Sequence, residues 1–328
     1  MKGKSNSYNF KFYSLDELPT SSLEELLNRK TSKVFTKNEF VKSDYKFIDD
    51  DNFQILSKIK NNSVELKEYC GSPVVGIKTG LNDAYIVDEN IQNTKPYIFG
   101  RDIKKYQPVI SNKRIVFPYD EDFVLIPISK LGDAKDILIK NKKELSNRAI
   151  IKEGLLKGTK QWYEYQQINK AIEFDKPYII FPNVSLGNNF SVASNVIVDM
   201  TAFILKSDSL YLLAILNSKL IEYLMQIWAI ERRGGYLEYK TQYVEKLPIK
   251  KIQESQQQPF ITRVEKILSL KKKNHSLPRQ SGDTTSLEKE IDVLVYKLYE
   301  LAYEEVKIID KDFWMSEEEY GKIKTEKA

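Results

Sequence analysis

Arg232, Arg233, Tyr236 and Lys240 fall within nine residues and are interrupted by the pair Gly234-Gly235. Two adjacent arginines before a flexible glycine pair can enter a nucleic-acid groove or grip its backbone. A guanidinium fork matches a guanine edge or a phosphate. Lys78 and Thr79 stand between Gly76 and Gly80, with Asn82 just beyond. Such a turn brings backbone close to a ligand, and a cation beside a hydroxyl suits a phosphate. Arg101, Lys104 and Lys105 follow Gly100 in a polar turn. Lys160, Tyr163 and Gln166 cluster around Trp162. Gln can read adenine through paired bonds, and aromatic rings pack on sugar or base. Asn183 and Ser185 follow an apolar run that ends at Phe181, and short polar side chains there can reach base edges. Plainer alternatives stand beside each: a hairpin with an exposed Lys78, an Arg101–Asp102 ion pair, Trp162 in a core, and turn chemistry after Pro182.

Other chemistries are poorly supplied. The chain has one Cys, Cys70, and one His, His275. These cannot build a structural zinc site, an internal disulfide or a Ser-His-Asp arrangement, so no metal and a reducing cytoplasm are expected. A DNA adenine methyltransferase needs an acidic or Asn residue, then Pro-Pro, then an aromatic to hold the flipped base. No Pro-Pro pair occurs. No glycine-rich loop of the kind that follows a strand in cofactor-binding α/β folds is evident. Catalytic residues on this chain are therefore not expected. Glu238-Tyr239-Lys240 has the local spacing of a metal-dependent nuclease, as do many chance triplets. The N-terminus shows no charged-then-apolar leader. The longest apolar run, 210–230, contains Asn217, Ser218, Lys219, Glu222 and Gln226. It reads as a buried helix and not a membrane span, so no membrane partner is expected.

The 328 residues suffice for one large domain or two modest ones, and a 41% hydrophobic fraction is ordinary for a folded protein. Twenty tyrosines offer flat apolar faces with polar tips, although Tyr-, Lys- and Asn-rich composition also follows from AT-rich coding. The net charge of +5 is mild. Its distribution is uneven: residues 95–170 carry 16 Lys or Arg against 9 Asp or Glu, and residues 210–273 carry 12 against 6. A basic middle can face phosphates, or simply be a solvated lysine surface.

The elements that must hold these residues change character along the chain. Residues 1–45 are polar and mixed, an arm or linker with a short helix expected over Asp16–Asn28. From 46 to 207, short β-branched runs such as 114–117 and 178–181 alternate with turn signals, with prolines at their edges. A helical interruption covers 129–155. The expectation is an α+β fold, with a mixed, mainly antiparallel β domain carrying inserted helices. From 208 to 310 the pattern turns helical. Asp208 or Ser209 caps one apolar helix, and 236–252 reads as a strand or short helix. Pro259–Lys273 is amphipathic, Asn274–Asp283 is a linker, and Thr285 with Glu288 makes a capping box for a last helix. Those two helices form an antiparallel hairpin. Residues 311–328 are an acidic-polar tail.

Several segments occur in an order that resembles a known family. They are Ser32–Phe40, Gly76–Ile86, Gly100–Tyr106, Trp162–Gln166, Ile180–Asn183, Leu213–Leu220, Tyr236–Lys240 with Leu247–Ile249, and Leu287–Tyr299. Together they are similar to the TaqI-like C-terminal specificity domain of type II and IIG restriction-modification adenine-specific DNA methyltransferases. The resemblance implies a target recognition domain that reads double-stranded DNA in the major groove. It implies a separate catalytic domain or subunit that binds S-adenosylmethionine and receives the flipped adenine. On that basis this chain binds no cofactor itself. The alternatives are an active methyltransferase or endonuclease of unusual layout, and a docking partner that does not read DNA.

Overall fold

This computed structural model describes residues 10–12, 33–35, 50–170, 172–276 and 283–323. The expected helix over Asp16–Asn28 and part of the 274–283 linker lie outside them. The chain divides into two units, Met1–Asn62 and Ser63–Ala328. In the first, β1 (Phe10–Phe12) pairs antiparallel with β2 (Lys33–Phe35), and α1 (Asp50–Lys60) buries Ile55, Leu56 and Ile59.

The second unit begins with β3 (Ser63–Glu65), α2 (Leu66–Cys70), β4 (Val74–Val75), β5 (Ile86–Val87), β6 (Thr94–Ile98) and β7 (Lys113–Val116). Three short helices follow: α3 (Ala134–Lys140), α4 (Lys142–Ser146) and α5 (Ala149–Leu156). Then come β8 (Tyr178–Pro182), β9 (Val184–Ser185), β10 (Ser191–Ala193), β11 (Ile197–Val198) and β12 (Ala202–Leu205). Eight of these strands make two four-stranded sheets, ordered β10-β8-β12-β4 and β11-β6-β7-β5. Among the described residues the strand ladders are antiparallel except β11 against β6. Both sheets feed one core. Tyr85, Tyr97, Ile115, Val116, Tyr165, Ile180, Ile197 and Ile204 meet there, joined by Leu138 and Leu145 from the inserted helices. All five residues of β8 are buried, so its near-continuous apolar run is that of a strand covered on both faces.

The helical stretch opens with α6 (Leu210–Leu216) and α7 (Lys219–Trp228). Ser209 caps α6 by accepting from the Leu212 amide at 3.2 Å. The single helix expected over 210–230 is instead two helices bent by 55°. Asn217 turns its side chain onto the Phe190 backbone, donating to the carbonyl at 3.0 Å and accepting from the amide at 3.1 Å. Ser218 then caps α7, accepting from the Ile221 amide. No single helix among the described residues is long and apolar enough to cross a membrane. The 236–252 stretch resolves into three pieces after β13 (Glu231–Arg232): β14 (Tyr236–Glu238), α8 (Thr241–Val244) and β15 (Pro248–Lys250). β14 pairs with β9 and β15 with β3, which ties the helical stretch into the same unit as the sheets.

The last elements are α9 (Glu254–Ser276), α10 (Thr285–Leu298), α11 (Tyr303–Ile309) and α12 (Glu317–Lys322). Arg263 meets Glu290 at 2.8 Å and Lys271 meets Glu288 at 3.1 Å, an antiparallel order for α9 and α10. α9 also packs on α6, with Phe260 edge-on to Tyr211. The capping box expected at Thr285 is absent: Thr285 bonds to Asp283, and Thr284 donates to Glu288 at 2.8 Å. The tail is less polar than its composition, since Phe313 and Tyr320 are buried beside Tyr296 and Tyr303.

Asp292 sits buried on α10 and accepts from the Lys219 amide at 2.8 Å. Burial pushes its carboxyl up to about 6, against the pull of Lys105 and Lys219. The folded protein thus holds a proton there that the unfolded chain has already lost near pH 4. Stability from this group is full below pH 4 and is lost as pH rises through 6. Asp292→Asn keeps an acceptor for Lys219 and removes that loss. The variant is expected to be more stable than the parent above pH 7, by about 2–3 kcal/mol at most, and equal to it near pH 4. Thermal melts across pH 4–8 check this.

Candidate nucleic-acid interface

Asn82, one of the side chains singled out from sequence, is held by a carboxylate that was not among them. After β11 the chain turns through Asp199, Met200 and Thr201 before entering β12. Asp199 is 1% exposed and accepts from the Tyr97 hydroxyl at 2.5 Å, the Asn82 side-chain amide at 3.0 Å and the Thr201 amide at 2.9 Å. Burial and the adjoining carboxylate push the Tyr97 phenol far above its ordinary range, so it stays protonated and donates. Ile77 runs parallel to this turn, its amide donating to the Val198 carbonyl at 2.8 Å. Gly76 makes the approach possible: a Cβ there would stand 2.3 Å from the carbonyl oxygens of Val198 and Asp199. Gly76→Ala must push these segments apart and is expected to cost about 2 kcal/mol, as overpacking typically does. Urea unfolding of the variant checks it.

The same turn holds two further segments. The Gly100 amide donates to the Thr201 hydroxyl at 2.9 Å, and the Asn183 amide donates to the Thr201 carbonyl at 2.9 Å. The Tyr239 amide in turn donates to the Asn183 carbonyl at 2.8 Å. Segments 76–82, 100–104, 183–185, 199–201 and 236–240 are therefore linked backbone to backbone or through Asp199 and Thr201. Gln166 joins them, because its side chain lies across Gly80, which has a φ of 83°.

The hairpin at 231–238 is built for exposure. Arg232 pairs across from Tyr236, and Arg233-Gly234-Gly235 make the tip, with φ of 85° and 78° at the two glycines. Only glycine adopts two consecutive positive-φ positions without strain. Residues 231–236 are all exposed. Beneath them Glu238 is nearly inaccessible and takes two cations, Arg232 at 2.5 Å and Lys240 at 2.5 Å. The Lys240 contact, helped by Arg232, holds its carboxyl below the usual carboxylate range. It is ionised and cross-braces the hairpin. A carboxylate so committed is a poor metal ligand, which counts against the nuclease spacing at Glu238 and Lys240.

Exposure sorts the sequence-derived residues. Arg233 and Lys104 are exposed with no ion pair among the described residues, and Lys78 is half-buried with none. Arg101 is 74% exposed, lies over the Phe99 ring at 4.6 Å and touches Asp102 only at 3.9 Å. Tyr236 is exposed beside Gly234. Asn183 and Lys240 border a cleft of about 440 Å³ with Phe203, Thr241, Gln242 and Glu245. The Asn183 side-chain oxygen is buried there with no hydrogen-bond partner among the described residues.

Other residues serve the scaffold. Thr79 is fully buried, and its hydroxyl donates to Asn82 at 2.5 Å while accepting from the Leu81 amide, so it cannot reach a phosphate. Tyr163 is buried and donates to the Ile126 carbonyl, so its ring has no free face for a base. Ser185 is buried and accepts from Asn189. Lys105 is paired with Glu288 of α10 at 3.0 Å. Lys160 is paired with Glu164 at 3.2 Å.

Sequence reasoning missed Asp199 and Arg148. Asp199 carries a usable signal, an acid directly after the apolar run Val196-Ile197-Val198, where turns begin. Arg148 carries none: it is one basic residue in a helical stretch, yet it is buried and binds four backbone carbonyls.

Comparison with known proteins bears on this arrangement. Residues 95–249 match the TaqI-like C-terminal specificity domain. The type II methyltransferase M.BstVI of Geobacillus stearothermophilus is 23% identical over 188 residues, covering 53% of this chain and 32% of that protein. The type IIL restriction-modification enzyme MmeI, solved in complex with DNA, aligns with a TM-score of 0.50 at 11% identity, over 77% of this chain and 36% of that one. The type IIG restriction endonuclease BpuSI aligns with a TM-score of 0.42 at 13% identity, over 85% of this chain and 37% of that one. The chain thus spans about a third of the length of these relatives.

Proposed function

We propose that this chain, whose residues 95–249 match the TaqI-like C-terminal specificity domain, recognises a specific double-stranded DNA sequence for a restriction-modification adenine-specific methyltransferase. The observation that carries the reading is the exposed hairpin. Arg232 and Arg233 stand on a hairpin braced by Glu238, and Arg101, Lys104 and Lys78 lie on turns tied to it through Asn183, Thr201 and Asp199. Exposed cations give phosphate affinity, and a guanidinium fixed on a rigid strand gives base readout. Asn183 and Gln166 are the nearby polar groups suited to base edges, while Lys240 is held by Glu238.

Methyl transfer is assigned to a separate catalytic domain or subunit, which would hold S-adenosylmethionine and form the other wall of the DNA cleft. In support, the sheets here are mainly antiparallel, unlike the helix-linked parallel sheet that usually cradles a nucleotide cofactor. On this reading the protein works in the cytoplasm, where the DNA is.

The test is duplex selection. The chain is incubated with random double-stranded DNA, and the enriched duplex is titrated against a scrambled one over a range of salt. A preference of about 10³-fold or more at physiological salt is expected, with affinity falling steeply as salt rises. Equal affinity for the scrambled duplex would contradict recognition and favour a docking role. Labelled methyl transfer to DNA by this chain alone would overturn the division of labour.

A further inference from the structure

The cationic hairpin carries an apolar residue that phosphate binding does not explain. β14 pairs with β9 in the register Glu238 to Val184 and Leu237 to Ser185. One step further along, that register sets Leu186 across from Tyr236, which on its other side faces Arg232. Cross-strand neighbours share a face of the sheet. The register thus puts Leu186, Tyr236 and Arg232 at neighbouring positions at the open end of this sheet. Leu186 is 59% exposed and Tyr236 is 43% exposed. The Leu186 Cδ2 lies 3.9 Å from where a Cβ on Gly235 would stand. The two glycines at the tip offer no side chain to cover it.

We infer that Leu186 is a specificity-determining residue that contacts the 5-methyl group of a thymine. This rests on the DNA-recognition reading. The hairpin around it sets Arg232, Arg233 and Lys240 against Glu231 and Glu238. The net positive charge, with Arg233 at the tip in no ion pair among the described residues, suits a polyanion more than an apolar protein face. Base edges in the major groove are polar except for one group, the thymine methyl. An isobutyl group held on a sheet beside an arginine fits a thymine next to the base or phosphate that Arg232 holds. Because Gly234 and Gly235 add no bulk, the row can approach the groove closely.

The experiment uses the duplex selected by the full chain. Each thymine is replaced in turn by deoxyuridine, which lacks only the methyl group. At one position the parent protein is expected to lose about fourfold in affinity, the worth of one buried methyl. Leu186→Ala is expected to lose a similar factor on the thymine duplex and to bind thymine and deoxyuridine alike at that position. Its melting temperature should match the parent, since the side chain is exposed. The inference is overturned if the parent ignores deoxyuridine everywhere, if Leu186→Ala still discriminates, or if the selected site contains no thymine. Sequence preference would persist in those cases, and recognition itself would stand. If no duplex is preferred, both readings fall together.

Discussion

Replacing Arg148 with alanine is expected to destabilise this protein by about 4 kcal/mol, within the range for breaking a buried hydrogen-bonded charge. For a unit of this size that lowers the melting temperature by on the order of 10 °C. Arg148 is 7% exposed. It donates to the Leu145 carbonyl at 2.8 Å, the Trp162 carbonyl at 2.8 Å, the Glu164 carbonyl at 2.9 Å, and the Thr79 carbonyl. It also lies over the Tyr85 ring. No acidic side chain lies among these acceptors, so the charge is stabilised by carbonyl dipoles that converge from three segments. Alanine leaves four acceptors facing a cavity. Lysine offers three donors from one point in place of a planar fork, and should recover less than half of the loss. Calorimetry of both variants checks this, and a melting temperature within 2 °C of the parent for Arg148→Ala would refute it.

The double variant Arg232→Ala/Arg233→Ala is expected to bind the preferred duplex about 100-fold more weakly, taking ~1–3 kcal/mol for each lost contact. The slope of log affinity against log salt should fall by about 2 if both arginines touch phosphate. If one reads a guanine, the slope falls less and preference relaxes at one position instead. Arg233→Ala alone is the cleaner probe. Arg233 has no ion pair among the described residues, whereas Arg232 also neutralises the buried Glu238. Unchanged affinity in the double variant, with the fold intact, would remove the hairpin from the interface.

What could be read from sequence divides by distance along the chain. Ser209 as a helix cap and Gly234-Gly235 as a flexible loop pair are local signals, decided by nearby residues. The mixed, mainly antiparallel strands with inserted helices were legible for the same reason. The helix break at Asn217 was not, because it depends on Phe190, 27 residues earlier. Glu288 resembled half of a capping box with Thr285, yet it accepts from Thr284 instead and also pairs with Lys105 and Lys271, brought in by the fold. The site shows the same division. Residue type suggested that Thr79, Tyr163 and Ser185 could touch DNA, and burial withdraws them. Asp199 gathers Asn82 and Tyr97 from more than 100 residues away, and no local pattern reveals that.

The central claim is that one face, formed by the Asp199 turn, the 76–82 and 100–104 turns and the 231–238 hairpin, meets the DNA. Amide hydrogen exchange of the full chain with and without its selected duplex tests that claim most directly. Slowed exchange should concentrate in residues 76–82, 100–104, 199–201 and 230–240, with little change in α9 and α10. Protection centred on α9, α10 or the helices over 134–156, with the hairpin unchanged, would contradict it.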